Sequence, residues 1–248
     1  MIPKDRVMEK LDSLLQSNDY SAAERLLKYW LSEAEYEGDM EGVLLVQNEQ
    51  MGLCRKLGKK EEAMKFAEDA LNQIIKMNIE DNVGAATTYL NSATVCKAFG
   101  QSERAIFLFK KAKDIYEREL SPDDDRLAGL YNNMGLALVD LNEFSQAEAL
   151  YQKAITVLQT IPEKEPEIAI TYLNMASARE AEHGLHRAKN TISSLCEKAM
   201  AYMEVGKDRS DGNYAFVCEK CASVFGFYGF EDYARILKER SRRIYEGA

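Results

Sequence analysis

Tyr116 to Leu158 reads YERELSPDDDRLAGLYNNMGLALVDLNEFSQAEALYQKAITVL, and the spacing of its small residues decides the fold. Ala147 lies 42 residues after Ala105, which lies 42 after Ala63, and seven residues beyond each comes another alanine, at Ala70, Ala112 and Ala154. A fixed period of roughly 20 to 50 residues marks a solenoid, whose units bury their apolar faces only against their neighbours. Sixteen residues ahead of Ala105, Ala147 and Ala234 stand Tyr89, Tyr131 and Cys218, and four further on come Ala93, Gly135 and Ala222. Gly58, Gly100, Asn142 and Gly229 each lie five residues before the second-helix alanine. A helix C-terminus accepts a left-handed residue at such a point. Each unit thus reads as two helices joined by a short turn, with small residues letting neighbouring helices approach closely.

Within the same stretch, Pro122 and the aspartates that follow it link two units, Leu130-Tyr131-Asn132-Asn133 opens the next, and Phe144 with Ala147 gives its second helix an aromatic-x-x-Ala start. In these features the chain resembles the tetratricopeptide repeat, in the 42-residue variety of kinesin light chains and many bacterial proteins, over nearly its whole length. The resemblance implies an all-α fold, a right-handed α-solenoid of five to six units. It implies one domain over residues 1–248, with units at about 3–38, 43–80, 84–121, 126–162, 167–206 and 213–246. The period weakens toward both ends. Trp30 replaces a small residue upstream, and downstream the register runs through Ala199 only with a four-residue insertion. Atypical terminal units are what a solenoid uses as caps.

Lys and Arg number 32 against 41 Asp and Glu, a net charge of −9. A field of that sign repels phosphate backbones and anionic lipid, so nucleic acid and membrane surfaces are not expected partners. No run of 18 apolar residues occurs, and MIPKDRVMEKLDSLL has no uninterrupted apolar segment of the signal-peptide kind. A cytoplasmic location is the expectation.

No phosphate-cradling loop, nucleophile elbow or HExxH is present, and the two histidines, His183 and His186, share one turn. No catalytic residue, cofactor or metal is expected, and the protein reads as a non-enzyme. Cys218 and Cys221 form a CxxC, the basis of a remote reading as a metal or redox protein. As small apolar residues on the first helix of the last unit they read as core, as do Cys54 and Cys96. Asp123, Asp124 and Asp125 read as a helix N-terminal cap rather than a cation site. Phe107, Phe109 and Tyr151 read as core.

The resemblance places the first helix of each unit on a concave groove. Asn91, Asn133 and Asn174 recur there, each two residues after Tyr89, Tyr131 and Tyr172. An amide both donates and accepts, so a row of them can hold the backbone of an extended peptide. In the kinesin light chain group and in bacterial peptide-sensing regulators of similar build, asparagines at this position do so. The alternative is that each amide serves the packing of the stack. Asn48, Asn132, Thr94 and Ser177 complete the expected polar lining, with Arg55, Lys56 and Lys97 as its cations. Thr87, Leu90, Gly129, Asn132, Ile170 and Leu173 stand where a carboxylate clamp of this family needs Lys and Arg, which argues against such a clamp. The expected partner is a protein or peptide. The second reading is a self-associating module, a homodimer formed through Phe216, Phe225, Phe227, Tyr228 and Phe230.

Overall fold

The computed structural model describes residues 1–247 and contains, among them, twelve helices and no strand. The helices are α1 (Lys4–Gln16), α2 (Tyr20–Glu37), α3 (Met40–Lys56), α4 (Lys60–Lys76), α5 (Val83–Ala98), α6 (Ser102–Glu119), α7 (Asp125–Asp140), α8 (Phe144–Leu158), α9 (Glu165–His183), α10 (Leu185–Val205), α11 (Gly212–Phe227) and α12 (Glu231–Glu246). Contacts gather them into two compact units, Met1–Glu119 and Leu120–Ala248, each of three helix pairs. No helix among the described residues is long and apolar enough to cross a membrane.

Turn chemistry sets the helix ends. Gly58, Gly100 and Gly229 adopt φ of 69°, 78° and 86°, and Asn142 adopts 59°. This is the left-handed region that glycine enters freely and asparagine tolerates. At the other end, Asp39, Asn82, Asp124 and Asp211 accept backbone N–H bonds at the starts of α3, α5, α7 and α11. Each cap satisfies one of the donors a helix start leaves open. The aspartate run therefore works as a cap, through Asp124.

The periodic alanines are the points of closest packing. Ala63, Ala70, Ala105, Ala112, Ala147 and Ala154 are all fully buried. At Gly135 even a methyl group has no room, because an added Cβ would lie 2.6 Å from the Tyr151 ring. Three first-helix tyrosines are each covered by a lysine from the paired second helix: Lys111 over Tyr89, Lys153 over Tyr131 and Lys198 over Tyr172, at 5.1, 5.3 and 5.6 Å. Such cation–π contacts add about 0.5 to 2 kcal/mol apiece. The four-residue insertion appears as length in α10, which runs 21 residues with Ala188 and Ala199 both on its buried face.

One core assignment needs correction. Phe109 and Tyr151 are fully buried, but Phe107 is 60% exposed, with Lys111 above its ring. Residues two apart point to nearly opposite sides of a helix, so Phe107 and Phe109 cannot share the core face.

All five cysteines are free and buried. Burial pushes the Cys221 thiol up to about 12, which keeps it protonated and unreactive at neutral pH. Glu24, Cys54 and Glu62 come close enough to hold an ion, but the Lys59 ammonium already bonds Glu24 and burial raises the Cys54 thiol to about 11. The trio is an ion pair beside a core thiol.

Gly135→Ala should destabilise the protein by roughly 1 to 3 kcal/mol through overpacking against Tyr151. Thermal unfolding of the variant measures this, and an unchanged melting temperature would contradict the contact.

Candidate functional site

The two units carry the same side-chain constellation on their first helices. The tetrapeptide Thr-Tyr-Leu-Asn occurs at Thr88–Asn91 in α5 and again at Thr171–Asn174 in α9. In each unit it grips an asparagine of the preceding first helix. Asn48 of α3 donates to the Thr88 hydroxyl at 3.2 Å, and Asn91 donates to the Asn48 carbonyl at 2.9 Å. Asn132 of α7 donates to the Thr171 hydroxyl at 2.9 Å, and Asn174 donates to the Asn132 carbonyl at 3.2 Å.

The proton directions follow from the surroundings. Thr88 and Thr171 give their hydroxyl protons to the Gly84 and Glu167 carbonyls one turn back, so each must accept from its asparagine. Asn48 also donates to the Leu44 carbonyl. The amide nitrogens of Asn48 and Asn132 therefore face these acceptors, and their oxygens face Asn91 and Asn174. Asn91 and Asn174 can only answer with N–H. Each is left with one unused N–H and a carbonyl that takes no bond from the described residues. Thr88 and Thr171 are 1% and 0% exposed, which fixes the grip from beneath.

A recess lies over each grip. In the first unit it measures about 480 Å3 and is walled by Leu44, Leu45, Met77 and Ile79, with Asn48, Asn91 and Glu49 as polar lining. Its mouth includes Lys4, whose ammonium is paired with Glu41. The start of the chain is tied down nearby, since the Ile2 N–H donates to buried Asp39 at 2.9 Å. In the second unit the recess is smaller, about 280 Å3, and charged: Asp125, Lys164, Glu167 and Lys220 line it with Asn132, Asn133 and Asn174. Lys164 is paired with Asp125 at 2.7 Å. On α3 and α7 the two recesses correspond, because Ala128, Gly129, Asn132 and Asn133 stand 84 residues after Leu44, Leu45, Asn48 and Glu49. Ala128 and Gly129 replace the two leucines, and Leu136, Leu158 and Ile170 supply the apolar lining of the second recess.

The other expected lining residues are variously placed. Asn133 is half-buried in the second recess and has no hydrogen-bond partner among the described residues. Thr94 turns its hydroxyl to the Leu90 carbonyl at 2.9 Å, and Ser177 accepts from Tyr228 at 3.3 Å. Arg55 and Lys56 are exposed and Lys97 half-buried, and none of the three lines either recess. Among the five aromatics of the last helix pair, Phe225 is fully buried and Tyr228 and Phe230 are partly so. Only Phe216 and Phe227, 50% and 64% exposed, remain for a partner.

One lining residue escaped the sequence reading. Glu49 stands 42 residues before Asn91, at the same register of its helix, and is half-buried with no hydrogen bond or ion pair to the described residues. Burial, with the neighbouring charge of Asp12 on α1, raises its carboxyl above the usual carboxylate range. The period alone, continued one step upstream, would have found it.

Comparison with known proteins bears on the architecture. A family model described as tetratricopeptide repeat matches residues 84–160. No curated protein matches the sequence. The crystal structure of BtubC (BKLC) from P. vanneervenii is similar at a TM-score of 0.59 and 18% identity, covering 94% of this chain and 91% of that one. A Podosopora anserina putative kinesin light chain with nearly identical TPR-like repeats gives 0.56 and 16%, covering 80% and 92%. NprR in complex with its cognate peptide NprX gives 0.61 and 16%, covering 99% of this chain and 71% of that one.

Two outcomes test the site's wiring. Asn132→Ala should cost about 1 kcal/mol by leaving Asn174 and Thr171 without their partner, whereas Asn133→Ala should leave stability unchanged. Equal denaturation midpoints for the two variants would refute the bonding pattern. For Glu49, a raised pKa means that the ionised form opposes folding at neutral pH, and the cost is relieved as pH falls through that pKa. Glu49→Gln should therefore melt higher than the natural protein at neutral pH, with the gain shrinking on acidification. A gain that grows in acid would reverse the assignment.

Proposed function

We propose that the chain, which matches the tetratricopeptide-repeat model over residues 84–160, is a non-enzymatic scaffold that holds an extended peptide or protein segment on its first helices. The observation that carries this reading is the pre-set pair of asparagines. Asn91 and Asn174 each keep a free carbonyl and one N–H at the edge of a recess, with their orientation fixed by Asn48 and Asn132. Fixed amides recognise a peptide backbone without regard to its side chains, and a held rotamer loses little entropy on binding. An extended segment presents backbone donors and acceptors at about 3.3 Å per residue, whereas a helix has consumed its own. The similarity in fold to NprR, whose structure contains a bound peptide, accords with this use.

Self-association is the second reading. Phe216 and Phe227 lie on one face of α11 and are largely exposed. A measured mass of one chain in solution, unchanged across concentration, would remove it.

To test the main reading, peptides retained from a lysate by the immobilised protein are sequenced, synthesised and titrated. Asn91→Ala and Asn174→Ala should each weaken binding of at least one such peptide about fivefold, the equivalent of one lost neutral hydrogen bond of about 1 kcal/mol. If both variants bind every retained peptide as the natural protein does, the asparagines serve packing only.

A further inference from the structure

The recess of the first unit is chemically one-sided. Two of its lining acceptors stand without a donor, the Glu49 carboxylate and Asn91, whose carbonyl the bonding directions leave free. Neither oxygen receives a hydrogen bond from the described residues. The only cation at its edge, Lys4, is already engaged by Glu41. Asp12 adds further negative charge from α1, and the chain as a whole carries −9. A half-buried carboxylate without a partner is costly, and the cheapest remedy is a cation that also donates hydrogen bonds. Leu44, Leu45, Met77 and Ile79 stand beside the two acceptors and offer apolar contact and no charge.

We propose that this recess takes a cationic group of a bound peptide, a Lys or Arg side chain or a free amino terminus, together with an adjoining aliphatic or aromatic residue. The cation bonds Glu49 and the Asn91 carbonyl, and the neighbouring side chain packs on the leucine wall. The proposal rests on the peptide-binding reading above and specifies its ligand. It is particular to the first unit. At the position corresponding to Glu49, the second unit has Asn133, and its recess contains Lys220. An electrostatic demand for a cation is therefore absent there.

The probe is a soluble library of random seven-residue peptides with free amino termini, incubated with the natural protein, with Glu49→Gln and with Glu49→Lys, the retained peptides being sequenced by mass spectrometry. Peptides enriched by the natural protein should carry a cation next to an aliphatic or aromatic residue. For a peptide chosen from that set, Glu49→Gln should weaken affinity about tenfold, as expected for a hydrogen-bonded charge in a partly desolvated site. Glu49→Lys should enrich acidic peptides instead. Glu49→Gln is expected to be the more stable protein, so unfolding cannot account for its weaker binding, and melting curves of both variants accompany the titration. Retained peptides without a cationic preference, or equal affinity for Glu49→Gln, would overturn the proposal and leave the peptide-binding reading standing. If none of the three proteins retains any peptide, the broader reading fails and this one with it.

Discussion

Close approach of neighbouring helices at the buried alanines is the constraint on which everything else rests. An asparagine side chain is short, so one amide reaches another across two helices only if their axes lie about 8 to 10 Å apart. Ala85, Ala86 and Ala93 of α5, and Ala169 and Ala176 of α9, are all at most 1% exposed. In this closely packed setting Asn91 reaches Asn48 at 2.9 Å and Asn174 reaches Asn132 at 3.2 Å. Larger side chains at the same points would separate the helices and break both bonds. The polar ladder is therefore a consequence of the apolar packing beneath it. Lysines stack over Tyr89, Tyr131 and Tyr172 with the same regularity in three of the helix pairs.

The architecture was legible because it depends on local, repeated signals. A glycine or asparagine in the left-handed region ends a helix whatever surrounds it, and Gly58, Gly100, Asn142 and Gly229 do so. An alanine at a fixed period has few uses other than close packing. What depended on three-dimensional pairing was less legible. The repeat period gave the row Asn91, Asn133 and Asn174, but which amide bonds which depends on the offset between neighbouring helices, and that offset joins Asn174 to Asn132 rather than to Asn133. The repeated Thr-Tyr-Leu-Asn carried that information, yet threonine's part appears only when its hydroxyl is seen buried beneath the asparagine. Phe107 was misjudged because hydrophobicity outweighed its angular position. Glu49 was passed over because a carboxylate on a helix is ordinarily solvated.

The same scaffold yields two chemically different recesses by changing few residues. Leucines at 44 and 45 give way to Ala128 and Gly129, and Glu49 gives way to Asn133. The grip itself is conserved between the units because it serves the helix packing, whereas the side chains around it are free to vary. A repeat protein can therefore hold a peptide backbone in a uniform way while reading its side chains differently at each unit.

Burying a carboxylate without a partner is a stability cost that packing alone does not explain. Glutamine would fill the space of Glu49 with nearly the same shape and no charge, and the second unit manages with asparagine at that position. An unfavourable charge beside a free acceptor and an apolar wall is the arrangement on which the proposed cation site rests. The carboxyl's raised pKa is the energetic trace of that arrangement: the unliganded recess favours the protonated acid, and a bound cation would favour the ionised one. Binding and protonation at Glu49 thus oppose each other, so ligand affinity should fall as the solution is acidified through that pKa, and should do so only while position 49 carries a carboxylate.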